Sequence, residues 1–152
     1  MPNWCEGTLK VRGKVKDLKQ FVLEGLEPVD FFGNSKGKLQ FDKYGECTCE
    51  HSCYIENTRR GFVEGLHIYI DSDYAEDDIN VICMGCKFAW GISAEELQKT
   101  CKKYNVDMKI FAFERGMQFN QNIEIVDGQI IKDEELTFDN YDWECICPNM
   151  GG

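Results

Sequence analysis

Two amphipathic helical patterns, one before and one after a block of alternating strand patterns, predict an α+β sandwich of ferredoxin-like topology. In that arrangement an antiparallel sheet carries both helices on one face. The order read along the chain is strand, helix, block of strands, helix, strand and an added C-terminal β-hairpin. The 152 residues, 43% of them hydrophobic, suffice for one core. Residues 1–152 are therefore read as a single domain, with 27–80 as a variable insertion or strand block and 135–152 as a tail.

The first strand is TLKVRGKV, where Leu9 and Val11 alternate with Lys10 and Arg12. KVKDLKQFVLEGL changes to helical spacing, with Val15, Leu18, Phe21, Val22 and Leu26 on one side and Gly25 near the end. EPVDFFGNSKGK is a loop by its Gly, Pro, Asn and Ser content, and KLQFDKY is assigned a short strand. GLHIYID alternates cleanly, and NVICMGCKFAW reads as a strand apolar on both faces and central in a sheet. The second helix is marked by Ser93 with Glu96 as a capping box and by the stripe Ala94, Leu97, Cys101 and Tyr104. MKIFAFE is a further strand, and QNIEIVDGQIIKD is a hairpin whose Asp127-Gly128 pair suits a type I′ turn.

The net charge of −10 argues against direct binding of nucleic acid, whose phosphates are neutralised by Lys and Arg. The opening MPNWCEGTLKVRG lacks a basic and apolar leader, and no apolar run is long enough to span a membrane. Nine cysteines without a leader point to reduced thiols and a cytoplasmic location.

GECTCEHSCY places Cys47, Cys49, His51 and Cys53 at successive spacings of two. Thiolates and an imidazole are zinc ligand types. In a straight strand, however, such residues stand roughly 6.5–7 Å apart, while tetrahedral zinc needs its donors within roughly 4 Å. The alternation with Glu46, Thr48, Glu50 and Ser52 fits a strand with a buried cysteine face, paired through NTRRG with GLHIYID. The preferred reading is structural, with no cofactor. The alternative is zinc held by Cys47, Cys49, His51 and Cys53, joined by Cys145 and Cys147. Cys83 and Cys86 form a CxxC pair, but their odd separation on a strand points the thiols to opposite faces.

Neither His51 nor His67 accompanies a nucleophile in a recognisable arrangement. The acidic runs at 76–78 and 133–135 lie on connectors, where charge runs are solvated. The aromatics Trp4, Trp90, Phe111, Phe113 and Phe119 are read as core and sheet packing, since stacking alone does not replace a missing positive groove. No catalytic residue is assigned, and an enzyme acting on a small molecule or nucleotide ranks last.

PNWCEGTLKVRG and KFAWGISAEELQKTCKKYNVDMKIFAFERGMQF, followed by the IEIVDGQII hairpin, resemble a family of small proteins carried by bacteriophages and plasmids, typified by the plasmid protein YubB. The resemblance covers residues 2–26 and 86–131. It rests on Asn3-Trp4-Cys5, Ala89-Trp90 and the segment Glu114 to Phe119, which contains Gly116. It departs at Gly91-Ile92, where family members have prolines, and across residues 27–80. It implies a ferredoxin-like fold and a mobile-element origin, but no reaction. Read physically, Trp4 pins the N-terminus against the sheet, Trp90 closes the core where strand meets second helix, and Gly116 turns the chain toward the hairpin. The expectation is an acidic, non-enzymatic binding protein of a bacteriophage or mobile element. Its partner is expected to be a host or phage protein, with no direct nucleic acid and no membrane.

Overall fold

The computed structural model describes residues 2–140 and Trp143. Its elements in chain order are β1 (Trp4–Lys14), α1 (Val15–Gly25), β2 (Leu26–Val29), β3 (Glu46–Cys49), β4 (Ser52–Ile55), β5 (Gly61–Glu64), β6 (Leu66–Tyr69), β7 (Ile79–Ala89), α2 (Ala94–Tyr104), β8 (Asp107–Glu114), β9 (Phe119–Val126) and β10 (Gln129–Thr137). Eight strands form one antiparallel sheet in the order β10-β9-β8-β1-β7-β5-β4-β2, and β3 and β6 form a separate two-stranded ribbon.

This overturns the expected ferredoxin-like α+β sandwich: the chain is mostly β, with 49% strand and 16% helix. The physical reason is coverage. Eight strands about 4.8 Å apart span roughly 34 Å, whereas two helices about 10 Å wide cover only roughly 20 Å. Helix α1 packs on β1, β2 and β7, and α2 on β8, β9 and β10. The ribbon completes the layer, because its Cys47, Leu66 and Ile68 enter the same core cluster as Leu18, Phe21, Leu97 and Tyr104. Segments read as an insertion therefore supply β2, β4 and β5 to the sheet and the ribbon to the core.

Local signals explain most elements. Ser93 Oγ accepts from Glu96 N at 3.3 Å, Lys102 and Lys103 occupy the last turn of α2, and Asn105 ends it in the left-handed region at φ 54°. Asp127 and Gly128 take φ of 49° and 69°, as a type I′ hairpin turn requires. KLQFDKY forms no strand. Leu39 is buried and Phe41 packs against the core, while the Asp42 carboxylate accepts from Tyr44 N and Glu46 N at 2.9 Å each. That turn needs Gly45, whose φ is 91° and whose Cβ, were one present, would lie 1.9 Å from Ile70 O.

The sheet edges are defended against further pairing. Strand β10 carries Asp133, Glu134 and Glu135 and a register shift between Ile130 and Lys132, and β2 contains Pro28.

Candidate functional site: the helix-free sheet face

Alternation along each strand divides the sheet into two faces. Cys5, Leu9 and Val11 of β1 and Ile82, Met84, Cys86 and Phe88 of β7 point into the core beneath the helices. Their neighbours point to the opposite face, over which neither α1 nor α2 lies. The register runs Tyr54, Phe62, Lys87, Glu6, Phe113 and Asn120 in one row across β4, β5, β7, β1, β8 and β9. The first half of this row is an aromatic cluster. Trp4 meets Phe62 edge-on at 6.1 Å, Phe62 meets Tyr54 at 6.0 Å, and Arg60 and Lys87 lie over the Trp4 ring at 5.5 and 5.1 Å. Tyr54 Oη donates to Thr58 O, and Lys87 pairs with Glu64.

The far half of the face is open. Ile79 and Val81 of β7 and Phe111 of β8 are exposed there, beside Cys83. Lys10 sits directly opposite both Cys83 and Lys109. Two like charges placed across adjacent strands disfavour the pairing unless a counter-charge is near. Lys109 has one in Glu124 at 3.6 Å, and Arg12 donates to Asp107 at 2.7 and 3.0 Å, which raises the guanidinium's pKa. Lys10 forms no ion pair among the described residues. A groove of about 150 Å³ runs between Lys10, Arg12, Val81, Lys109 and Glu124. Ile79 and Val81 lie on one side of the Lys10 row and Phe111 on the other, so exposed apolar side chains flank an ammonium that forms no ion pair among the described residues. The strand alternation made Lys10 and Arg12 visible in the sequence; the opposition of Lys10 and Lys109 depends on register, which no local signal carries.

The residues quoted for the family resemblance meet at one end of the sheet. Trp90 N donates to Asn3 O at 2.9 Å, and Cys5 is the register partner of both Phe88 and Glu114. The buried Glu114 carboxylate accepts from Gly116 N at 2.8 Å and Met117 N at 2.5 Å. A Cβ on Gly116 would lie 2.5 Å from the Asn3 side-chain amide nitrogen, so any side chain there must displace the Asn3 amide. Phe119 is buried opposite Glu114. Trp4 holds the N-terminal strand through Phe62, on the helix-free face. Trp90 does not close the core: it is 59% exposed at φ 70°. The adjoining core position belongs to Ile92, because the left-handed turn at Trp90 swings the indole outward and brings Ile92 in.

The cysteine stretch is two strands, not one. Cys47 and Cys49 lie on β3, paired with β6, whereas Cys53 lies on β4, paired with β2 and β5. The bend between them leaves His51 exposed and buries Cys47 and Cys53, with Cys49 half-buried against the core. Burial, followed by the neighbouring Cys49 and Cys47 thiols, pushes Cys53 up to about 12. Burial also raises Cys47, and pushes Cys86 and Cys101 to about 12. These thiols are poor nucleophiles at neutral pH. Among the described residues no three His, Cys, Asp or Glu side chains are arranged to hold a metal ion. Cys145 and Cys147 lie outside the described residues.

His67 Nε2 lies 2.7 Å from Glu46 on the ribbon. A cleft of about 370 Å³ at the C-terminal end of α2 is lined by Arg12, Lys102, Asp107 and Asp127. Asp107 is occupied there by Arg12 and by Asp127 N at 2.9 Å. Among the described residues no hydroxyl or thiol is hydrogen-bonded to a histidine ring, and the Cys53 thiol donates only to the His51 backbone carbonyl, at 3.8 Å. Among the described residues no helix is long and apolar enough to cross a membrane. No protein-family model matches the sequence, and no curated protein or solved structure matches it either.

Proposed function

We propose that the protein is a non-enzymatic binding module that recognises another protein through the helix-free face of its sheet. The observation that carries this reading is the set of exposed apolar side chains Ile79, Val81 and Phe111 on the rows flanking Lys10, which forms no ion pair among the described residues. Exposed apolar groups gathered on one face and rimmed by charge are a feature of interaction sites. A segment with an apolar side chain for the groove and a carboxylate for Lys10 meets both requirements. A nucleic-acid strand fits less well: Arg12 and Lys109 are each committed to a carboxylate, and the chain as a whole carries −10. The resemblance to the YubB-like proteins supports a role in a bacteriophage or mobile element acting on a host or phage protein. That support is one of analogy.

The test compares the wild type with Val81→Asp and Lys10→Glu variants in a pull-down from host cells at about 0.3 M salt, where contacts resting on exposed charge alone weaken. A specific protein recovered with the wild type and lost with both variants supports the reading. Recovery unaffected by either variant, or tight binding of a single-stranded oligonucleotide instead, overturns it.

A further inference from the structure

The cleft at the C-terminal end of α2 encloses about 370 Å³, more than the groove of about 150 Å³ on the sheet face. Its walls come from the end of β1, the start of β7, the end of α2, the start of β8 and the Asp127-Gly128 turn. Small-molecule sites run from roughly 300 to 1,000 Å³, so this one suits a ligand at the small end of that range.

The walls are tied to one another. Gln98 Nε2 of α2 donates to Gly128 O at 2.8 Å, which holds the turn against the helix. On the other side Asp127 N donates to Asp107 Oδ1 at 2.9 Å, while Arg12 Nε and Nη2 donate to Asp107 Oδ2 at 3.0 and 2.7 Å. The cleft therefore exists before any ligand arrives, which reduces the ordering cost of binding.

Five charged side chains line it: Arg12, Lys14 and Lys102 against Asp107 and Asp127. Three of them are used by the fold. Arg12 and Asp107 hold each other, and Lys14 shares Asp77 with Lys16, at 3.2 and 3.0 Å. Lys102 and Asp127 are left. Neither side chain forms a hydrogen bond or an ion pair among the described residues, with each other included. They are nevertheless neighbours, because the Lys102 stem runs over Gly128: a Cβ there would lie 2.9 Å from Lys102 Cγ and 3.3 Å from Cε.

This pairing of uncommitted charges selects the ligand. A lone anion drawn to Lys102 also meets Asp127 and the partial negative charge at the end of α2. A lone cation drawn to Asp127 also meets Lys102. A molecule whose carboxylate and ammonium are separated by a single carbon gives each wall charge its complement. Ile79 and Val106 supply apolar lining beside these charges.

We propose that this cleft binds a free α-amino acid with an apolar side chain. Its carboxylate meets Lys102, its ammonium meets Asp127, and its side chain lies against Ile79 and Val106. The site is distinct from the proposed contact on the helix-free face and does not rest on it.

The test is a titration of the isotope-labelled full chain with L-leucine, read from amide resonances. Saturable shifts are expected at Gly13, Asn105 and Gly128, with half-saturation below about 10 mM. Isocaproate lacks the ammonium and isoamylamine lacks the carboxylate, and each is expected to bind at least about 10-fold more weakly. Lys102→Gln should weaken L-leucine about 10-fold without weakening isoamylamine, and Asp127→Asn should weaken L-leucine about as much without weakening isocaproate. Asparagine suits the left-handed φ at position 127, so the turn persists. The two half-ligands read the same contacts in the wild type, whatever a variant does to the fold. Absence of saturable shifts at those amides overturns the inference. So does binding of either half-ligand as tight as that of L-leucine, or L-leucine binding that either variant leaves unchanged.

Discussion

The Gln121 side chain closes both backbone hydrogen-bonding positions of Ile92: its Oε1 accepts from Ile92 N at 2.7 Å and its Nε2 donates to Ile92 O at 3.1 Å. Cys5 Sγ donates to Gln121 Oε1 at 3.8 Å, and a Cβ on Gly91 would meet that Oε1 at 3.3 Å. One amide on β9 thus fixes the turn from β7 into α2 and, with it, the outward indole of Trp90.

Gln121→Leu keeps the volume and removes the clamp. Two buried backbone groups then lose their partners, at about 1–3 kcal/mol each when no water replaces them. A loss of about 2–4 kcal/mol in urea-induced unfolding is expected, and a change below about 0.5 kcal/mol would show that the turn holds itself.

Gly45→Ala tests the close approach in the β3 turn. The left-handed φ alone costs a non-glycine residue about 1–3 kcal/mol, and the new Cβ must also displace Ile70 O, a backbone atom. Destabilisation of at least about 2 kcal/mol by denaturant titration is expected. Gly37→Ala, with φ 100° and nothing within 4 Å of its Cβ position, should cost less because only the backbone strain applies.

Acid sensitivity should follow Glu56. Burial alone would raise its pKa, but Lys103 Nζ at 2.6 Å and the Tyr104 hydroxyl at 2.5 Å outweigh it and lower it from 4.5. With the folded value below the unfolded one, this stabilisation is present above about pH 4.5 and is lost as pH falls through the folded value. Asp30, lowered by Asn34 N and Lys36, and Asp77, lowered by Lys16 and Lys14, act in the same direction. Melting temperature should fall below about pH 4.5, and Glu56→Gln should flatten part of that fall. An identical acid profile in the variant would rule out this assignment.

At the alkaline end the thiols act with the opposite sign. Cys53, Cys86 and Cys101 are pushed from 9.0 to about 12, and Cys5 is also raised, each first by burial. A raised folded value gives stability that is complete below about pH 9 and lost as pH rises toward 12. Peptide-mapped alkylation at pH 8 should label Cys83 quickly and leave Cys5, Cys53, Cys86 and Cys101 protected until unfolding. Fast labelling of Cys53 in the folded protein would show that the bend between β3 and β4 opens.

Metal content decides the remaining reading of the cysteine stretch. Chain purified under reducing, chelator-free conditions is expected to hold less than stoichiometric zinc and to melt at the same temperature with and without a chelator. One zinc per chain, lost together with stability in Cys49→Ser, would mean that the β3–β4 bend is a ligand loop.

By itself the sequence determined those elements whose signals are local. Ser93 and Glu96 marked the start of α2, Asp127-Gly128 marked the last hairpin, and the period-two pattern of GLHIYID marked a strand, because capping, turn dihedrals and side-chain alternation each depend on a few neighbouring residues. It also contained Asn3, Glu114 and Gly116 as a motif, though not the corner in which they touch. Tertiary structure alone decided how many strands share the sheet, and so replaced the expected sandwich by a mostly-β fold. It also decided that the cysteine stretch breaks at His51 between ribbon and sheet, that Trp90 faces outward, and that Lys10 lies opposite Lys109. Each of these depends on register or on competition for the same core volume between residues far apart in the chain. The physical reason is that burial is non-directional and can be satisfied by many partners, whereas a cap or a turn is satisfied only by the residues beside it.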